Sequence, residues 1–226
     1  MKRKVFFTLC LFCVALIKAQ DSSLGNWMIY IGHKQLNRSW NIHHEVQYRN
    51  YNAIGDLEQL LLRSGLGYNL SPENNNILLG YGFINSQNYI SEDTIILHNT
   101  STKNSVFEHR IYQQFITKQK LGALFVQHRY RFEERFFQGN FKIRFRYFLA
   151  LNLPLTKEKK EKENFYLSAY NEIFIQPGEI VFDRNRLYAG LGLKLNEKIK
   201  LEMGYMNQFL ENKKRNQINL FCFYTF

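Results

Sequence analysis

The sequence predicts an all-β protein, and specifically an antiparallel up-and-down transmembrane β-barrel of about ten to twelve strands. Stretches of about ten to fourteen residues alternate between polar and apolar side chains, short turns join them as in hairpins, and no segment has the periodicity of a long amphipathic helix. Strands in soluble sheets average about five or six residues, whereas a strand that crosses a membrane needs about 9–11.

The alternation is clearest between Leu124 and Leu153. One face is charged, and it carries Gln127, Arg129, Arg131, Glu133, Arg135, Lys142, Arg144 and Arg146. The other face is apolar and aromatic, and it carries Val126, Tyr130, Phe132, Phe136, Phe141, Ile143, Phe145, Tyr147, Leu149 and Leu151. A period of two places these sets on opposite faces of a strand. In a membrane barrel the charged face lines the lumen and the aromatic face meets lipid.

The N-terminus predicts export. Basic residues at positions 2–4, an apolar run from Val5 to Ile17 and the small residue Ala19 are typical of a signal peptide over residues 1–19, which leaves a barrel over residues 20–226. Removing four basic residues from 30 leaves 26 against 19 acidic residues, a net charge of +7. An exported basic chain suggests an anionic membrane surface or a small anionic solute as partner, and no nucleic acid. Cys222 would then be the single cysteine left after cleavage, so no internal disulfide is expected.

Eleven stretches along the chain have strand character. They are Trp27–Lys34, Trp40–Tyr51, Leu57–Leu70, Ile77–Ser86, Val106–Thr117, Leu121–Phe136, Phe141–Leu153, Phe165–Gln176, Arg184–Leu195, Lys198–Phe209 and Ile218–Phe226. The longest irregular segment is Gln87–Asn104, and the charged run Lys157–Glu163 is typical of a solvated turn.

Two hairpin registers follow from the positions of these stretches. If Leu70 pairs with Ile77, then Gly67 lies opposite Gly80 and Gly65 opposite Gly82, all on the polar face. If a two-residue turn lies within residues 118–120, then Glu108 lies opposite Arg129. Other registers of this hairpin keep the same faces in contact, so Glu108 and Arg110 are expected to join one charge network with Arg129, Arg131 and Glu133.

An odd number of strands conflicts with this fold class, because single-chain bacterial barrels have even numbers. One stretch has then been missed, or the Trp27 stretch is not part of the wall. One hypothesis that resolves the conflict is that the segment before Gln35 packs inside the barrel, against the patch that contains Gly65 and Gly80.

A secreted soluble β-barrel or sandwich that binds a ligand is the alternative, since alternation also suits a soluble sheet. Apolar faces that end in Trp, Tyr and Phe favour the membrane, because such residues form girdles at its interfaces. The aromatic pair Tyr224 and Phe226 in the last strand resembles the signal that the barrel assembly machinery reads. The expected location is thus the outer membrane of a Gram-negative bacterium, with its lipid and that machinery as partners.

Four segments carry a more specific resemblance: residues 44–49 (HEVQYR), 55–61 (GDLEQLL), 108–115 (EHRIYQQF) and 128–131 (HRYR). Together they resemble an uncharacterised family of small outer-membrane β-barrels, domain of unknown function 2490. The resemblance covers nearly all of the chain after the leader. It implies the same fold and location, and it implies no activity, cofactor or catalytic residue.

The first functional hypothesis is a structural barrel or a narrow channel with an Arg-rich lumen. The expected lumen residues are Arg63, Glu108, Arg110, Arg129, Arg131, Glu133, Arg135, Lys142, Arg144, Arg146, Glu172 and Arg186. Excess arginine would favour anionic solutes in an open lumen. The interleaved glutamates favour instead a lumen that its own side chains fill.

The second hypothesis is a membrane-embedded lipid hydrolase. His109 and His128 would lie opposite each other on the outer face if the same two-residue turn is used. Hydrolysis would also need a nucleophile and an orienting acid, but no serine on these faces has suitable spacing. We therefore expect no enzyme activity, no cofactor and no metal. A third hypothesis, an adhesion or assembly role for loops such as Gln87–Asn104, is neither favoured nor excluded.

Overall fold

The computed structural model describes residues 24–71, 74–90, 103–155, 164–178 and 180–226. The described residues form eleven β-strands. They are β1 (Gly25–Gln35), β2 (Trp40–Asn50), β3 (Leu57–Asn69), β4 (Asn75–Tyr89), β5 (Lys103–Leu121), β6 (Leu124–Phe137), β7 (Asn140–Pro154), β8 (Asn164–Ile175), β9 (Phe182–Lys194), β10 (Ile199–Leu210) and β11 (Lys214–Thr225). The predicted leader and the charged run Lys157–Glu163 lie outside the described residues.

The strands form one closed barrel in chain order, and β1 joins β11 to complete the wall. Each neighbouring pair is antiparallel except β1 and β11, which are parallel over nine residue pairs from Gly25–Gln217 to His33–Thr225. The predicted all-β barrel of about ten to twelve strands is therefore confirmed, and it differs from a wholly antiparallel barrel with an even strand number only in its eleventh strand and its parallel β1–β11 pair. With eleven strands the first and last run in the same direction, and a parallel pair still satisfies the hydrogen-bonding groups of both edges.

The first strand belongs to the wall. It pairs with β2 along ten residue pairs as well as with β11, so the hypothesis that this segment packs inside the barrel is wrong. Other side chains fill the space beside the glycines. A Cβ atom at Gly80 would lie 2.2 Å from the ring of Tyr112, and one at Gly65 would lie 2.6 Å from Leu78. These glycines leave room for large inward side chains from their own half of the barrel.

Both predicted hairpin registers are wrong by an even number of residues. In the β3–β4 hairpin, Gly65 lies opposite Gly80, and Gly67 lies opposite Leu78. In the β5–β6 hairpin the turn lies four residues later than expected, where Gly122 has a φ of +61° that favours glycine. An even shift keeps every side chain on its predicted face and changes only its cross-strand partner.

Because the turn lies later, Glu108 and Arg129 are not paired as hypothesised. Glu108 lies opposite Phe137 and Arg129 lies opposite Ile116, so these two charges do not pair across the hairpin. Strand β4 also extends to Tyr89 and β5 begins at Lys103, so both ends of the segment predicted as irregular, Gln87–Asn104, belong to strands, and residues 91–102 lie outside the described residues.

The two faces of the wall differ as the alternation predicts. Arg144 and Arg146 point into the barrel and are 5% and 7% exposed, whereas Phe145 between them is 46% exposed on the outer face. On the opposite side of the lumen, β1 contributes apolar side chains. Trp27 and Ile29 pack against Tyr188 and Met206 in a buried hydrophobic cluster. The interior therefore contains a charged region and an apolar region side by side.

A single substitution tests the parallel closure. Tyr30 lies opposite the free cysteine Cys222 on the outer face of the β1–β11 pair. We expect Tyr30→Cys to form a disulfide with Cys222 under mild oxidation, because directly paired residues meet the distance that a disulfide needs. The crosslink is read from the mass of the peptides after proteolysis of the folded protein.

The matched control is Met28→Cys, which lies opposite Leu220, two residues from Cys222. A crosslink in Met28→Cys but not in Tyr30→Cys would show that the strands pair in a different register.

Candidate functional site

Most of the charged side chains in the barrel come from five consecutive strands, β5 to β9. Alternate residues of these strands point inward, and neighbouring strands bring their inward side chains side by side. Because the barrel is closed, these side chains have little access to bulk water and must find partners within the lumen.

Glu133 lies at the centre of this network and is fully buried. Arg144 donates two hydrogen bonds to its Oε2 atom, at 2.6 and 2.9 Å, and Arg146 donates one to Oε1 at 2.6 Å. The guanidinium groups of Arg110 and Arg131 lie 3.5 and 3.7 Å from the same carboxylate. Four cations thus surround one anion, which compensates the cost of burying its charge.

A second carboxylate, Glu172, continues the network towards β9. Its Oε1 atom accepts hydrogen bonds from Arg146 at 2.5 Å and from Arg129 at 2.7 Å. Arg186 lies 3.5 Å from Oε2. Arg146 therefore bridges the two buried glutamates and ties β6, β7 and β8 together through side chains.

Glu108 and Arg110 extend the network in the other direction. Arg110 donates to Glu108 at 2.6 and 2.8 Å, and Arg135 donates to the same carboxylate at 2.7 and 2.9 Å. Glu108 and Arg110 thus join a network that reaches Arg129, Arg131 and Glu133, although Glu108 does not contact Arg129.

Lys142 belongs to the expected lumen set but lies apart from this network. It is exposed beyond Arg144, near the start of β7. Arg144 instead pairs with Asp183 at 3.0 Å, and Asp183 was absent from the expected set. The alternation of β7 correctly assigns Lys142 to the inner face. It does not show that this position lies at the rim of the barrel, where the side chain is exposed to solvent.

Further interior residues come from β2, β5 and β10. They are Glu45, Gln47, Arg49, Gln114 and Gln208, all of them buried. Glu45 pairs with Arg63 at 3.2 Å, and Gln114 accepts a hydrogen bond from Arg131 at 2.8 Å. The alternation of residues 40–51 already places Glu45, Gln47 and Arg49 on the polar face, so this signal could have added them to the expected set.

Aromatic rings pack against the interior arginines. The guanidinium groups of Arg49 and Arg186 lie 3.7 and 4.8 Å from the ring centre of Trp27. Arg146 and Arg186 lie 4.5 and 4.6 Å from the ring centre of Phe174. Such contacts stabilise a cation that is removed from water.

Together these charges and rings form one group of buried side chains in the interior of the barrel. We call this set the central belt, and its members are Trp27, Arg49, Arg63, Arg110, Tyr112, Arg131, Glu133, Arg144, Arg146, Glu172, Phe174 and Arg186. All of them are at most 7% exposed.

A family model described as a protein of unknown function, DUF2490, matches residues 24–219. The chain belongs to the DUF2490 family. An uncharacterized protein of Methylorubrum extorquens is 26% identical over 175 residues, which cover 73% of this chain and 69% of that protein. The resemblance seen in the sequence is thus confirmed, and the function has to be argued from the barrel itself.

The two histidines of the hydrolase hypothesis do not face each other in this DUF2490 barrel. His109 lies opposite Phe136 and His128 lies opposite Thr117. Each histidine is hydrogen-bonded to a tyrosine instead. The hydroxyl oxygen of Tyr81 lies 2.6 Å from Nδ1 of His109, and the hydroxyl oxygen of Tyr147 lies 2.8 Å from Nδ1 of His128. The prediction that the two histidines lie opposite each other was wrong because it assumed an earlier β5–β6 turn than the one that forms.

A smaller cluster closes one rim of the barrel. Tyr89 donates a hydrogen bond to Asp56 at 2.6 Å, and Lys103 donates to the same carboxylate and to the carbonyl of Leu57. Burial raises the pKa of the Asp56 carboxyl, but these hydrogen bonds outweigh it, and the pKa lies below its ordinary value. The contacts tie the β2–β3 connection to the start of β5.

The aromatic residues of the last strand lie at the opposite rim. Tyr224 and Phe226 make an edge-to-face contact with ring centres 4.5 Å apart, and the amide of Phe226 donates to the carbonyl of His33. Among the described residues, no helix is long and apolar enough to cross a membrane. Within the same ranges, no group of His, Cys, Asp and Glu side chains is arranged to hold a metal ion.

Removing the central anion tests the network. We expect Glu133→Gln to lower the free energy of unfolding by about 3–5 kcal/mol, because it leaves four buried arginines without their shared counter-charge. The measurement is urea unfolding of the folded protein in detergent.

The control is Glu134→Gln, the same substitution one residue along β6, where the side chain points outward. We expect it to change stability by no more than about 0.5 kcal/mol. Equal losses in the two variants would contradict the special position of Glu133.

Proposed function

We propose that the protein is a structural barrel of the outer membrane whose lumen is closed, so that it forms no open pore. The central belt carries this proposal. A fully buried carboxylate lies among four arginines, of which Arg131 packs on Tyr112 and Arg144 and Arg146 pack on Phe174, and this arrangement supports a lumen without a water-filled path. Small barrels commonly fill their interior with side chains in this way.

The outer surface supports a membrane location. Large apolar side chains are exposed along the outer face of the strands, including Met28, Trp40, Val46, Leu62, Leu66, Tyr68, Ile77, Leu79, Tyr81, Ile111, Tyr130, Phe145, Leu151, Leu167, Leu187, Leu191, Leu201, Met203 and Tyr205. A water-soluble monomer rarely exposes a contiguous apolar surface of this extent. In a bilayer, the same surface is in contact with hydrocarbon.

The shape of the outer wall adds to this argument. A groove of about 1210 Å³ is lined by residues of β2 to β8, and most of them, such as Trp40, Tyr68, Phe115, Tyr130 and Phe145, occupy outward positions. Apolar side chains dominate the exposed part of this lining, so the groove suits lipid chains. The terminal aromatic residues Tyr224 and Phe226 remain candidates for recognition by the barrel assembly machinery.

The alternative is a narrow anion channel, and one observation favours it. The interior holds more arginines than carboxylates, and Arg49 bonds only to glutamine oxygens and packs on Trp27. An open lumen with this excess of positive charge would select anions. The closed barrel is preferred because the belt arginines are buried and bonded to partners on the same or nearby strands inside the barrel.

Conductance in a planar bilayer separates the two functions. We expect the folded protein to insert without producing current steps, and protease protection in matched vesicles verifies that it has inserted. A general porin measured in the same bilayers is the positive control. Reproducible current steps with anion selectivity would refute the closed barrel and establish the channel.

A further inference from the structure

Basic side chains converge at the end of the lumen where β1 and β11 both end. We call this group the basic cup, and its members are His33, His43, Lys118, Arg129, Lys194 and Lys200. They occupy inward positions on β1, β2, β5, β6, β9 and β10. Strands β1, β5 and β9 end at this rim, and β2, β6 and β10 begin there, so the topology brings these residues to the same end of the barrel.

Two pairs in the cup bring like groups directly opposite each other. Lys194 lies opposite Lys200 in the β9–β10 pair, and His33 lies opposite His43 in the β1–β2 pair. Like charges in directly opposed positions of a sheet destabilise it. The Lys194–Lys200 pair is therefore costly unless an anion compensates it.

Two of the nearby carboxylates are paired with arginines, and the third accepts a hydrogen bond from a neutral tyrosine. Glu45 pairs with Arg63, Glu172 pairs with Arg129, and Glu202 accepts a hydrogen bond from Tyr166 at 3.0 Å. In the part of the chain that the structure describes, none of the three lysines of the cup forms an ion pair. Because Tyr166 is neutral, Glu202 keeps its negative charge two residues from Lys200 and offsets one of the three lysine charges, so the cup retains an excess of positive charge.

Unpaired donors lie where the cup meets the central belt. The Nε atoms of Arg63 and Arg129 and the Nη1 atom of Arg131 are buried without a hydrogen-bond partner. Arg63 and Arg131 are at least nine-tenths buried, whereas the side chain of Arg129 is 20% exposed. Arg129 thus lies between the sealed belt and the part of the lumen that is open to solvent.

We propose that the basic cup binds a multivalent oxyanion of the phosphate class. Several guanidinium and ammonium donors around one space favour an anion that accepts many hydrogen bonds. The inference rests on the proposed closed lumen, because the belt makes the cup a blind site and not the mouth of a pore. It also gives a chemical class to the anionic solute that the basic composition suggests.

Isothermal titration calorimetry with inorganic pyrophosphate tests this inference. The full-length folded protein is titrated at low salt in an uncharged maltoside detergent, so that no phosphate can come from a lipid headgroup. We expect saturable binding of one pyrophosphate per barrel, which weakens as salt screens the charges. A chloride titration at matched ionic strength gives the non-specific background, and the absence of saturable binding would overturn the proposal.

Variants locate the site. We expect Lys200→Gln to weaken pyrophosphate binding about tenfold or more, as the loss of a charge-assisted hydrogen bond would. Lys118→Gln, from the far side of the cup, should have a similar effect and serves if Lys200→Gln does not fold. The matched control is Lys213→Gln, the same charge change in the turn at the other end of β10, which should leave the affinity unchanged.

Equal weakening in all three variants would show non-specific attraction to a basic protein and would overturn the proposal. The two proposals fail in different ways. Current steps in a bilayer refute the closed lumen whether or not pyrophosphate binds, and an absence of binding refutes the cup in a barrel that is still closed.

Discussion

The buried carboxylate of Glu133 is the constraint on which the interior depends. A charge without access to water is tolerated only when oppositely charged donors surround it, and four arginines from β5, β6 and β7 do so. Those arginines then share Glu108, Glu172 and Asp183, and their flat faces cover aromatic rings. The result is a belt of buried side chains that crosslinks neighbouring strands of the wall.

The odd number of strands sets the form of the wall. Because β1 and β11 run in the same direction, the barrel closes through a parallel pair, and the described chain enters the wall at one end and leaves it at the other. The first strand also brings Trp27 and Ile29 inward against Tyr188 and Met206. This strand therefore both completes the hydrogen bonding of the barrel and supplies the apolar part of its interior.

The sequence predicts faces well and partners poorly, for a physical reason. A period of two determines which side chains point inward, so the inward positions of Arg144 and Arg146 follow from the pattern alone. Sliding a hairpin by an even number of residues preserves that pattern, and only the glycine turn at Gly122 selects the register that brings Glu108 to Arg135. The role of β1 was harder to predict because Trp27, Ile29 and Met28 make both of its faces apolar. The hydrogen bonds around Glu133 depend on the bend of the wall and could not be predicted from sequence.

Two tryptophans allow a direct test of the arrangement of faces. Trp27 is 3% exposed inside the barrel, whereas Trp40 is 41% exposed on the outer face, and the chain contains no others. The measurement is the fluorescence of Trp27→Phe and Trp40→Phe in vesicles of phospholipid brominated near the headgroup, compared with quenching by iodide in the water. Our account predicts that bromolipid quenches Trp40 and that neither quencher reaches Trp27. Quenching of Trp40 by iodide alone, or of Trp27 by bromolipid, would contradict it.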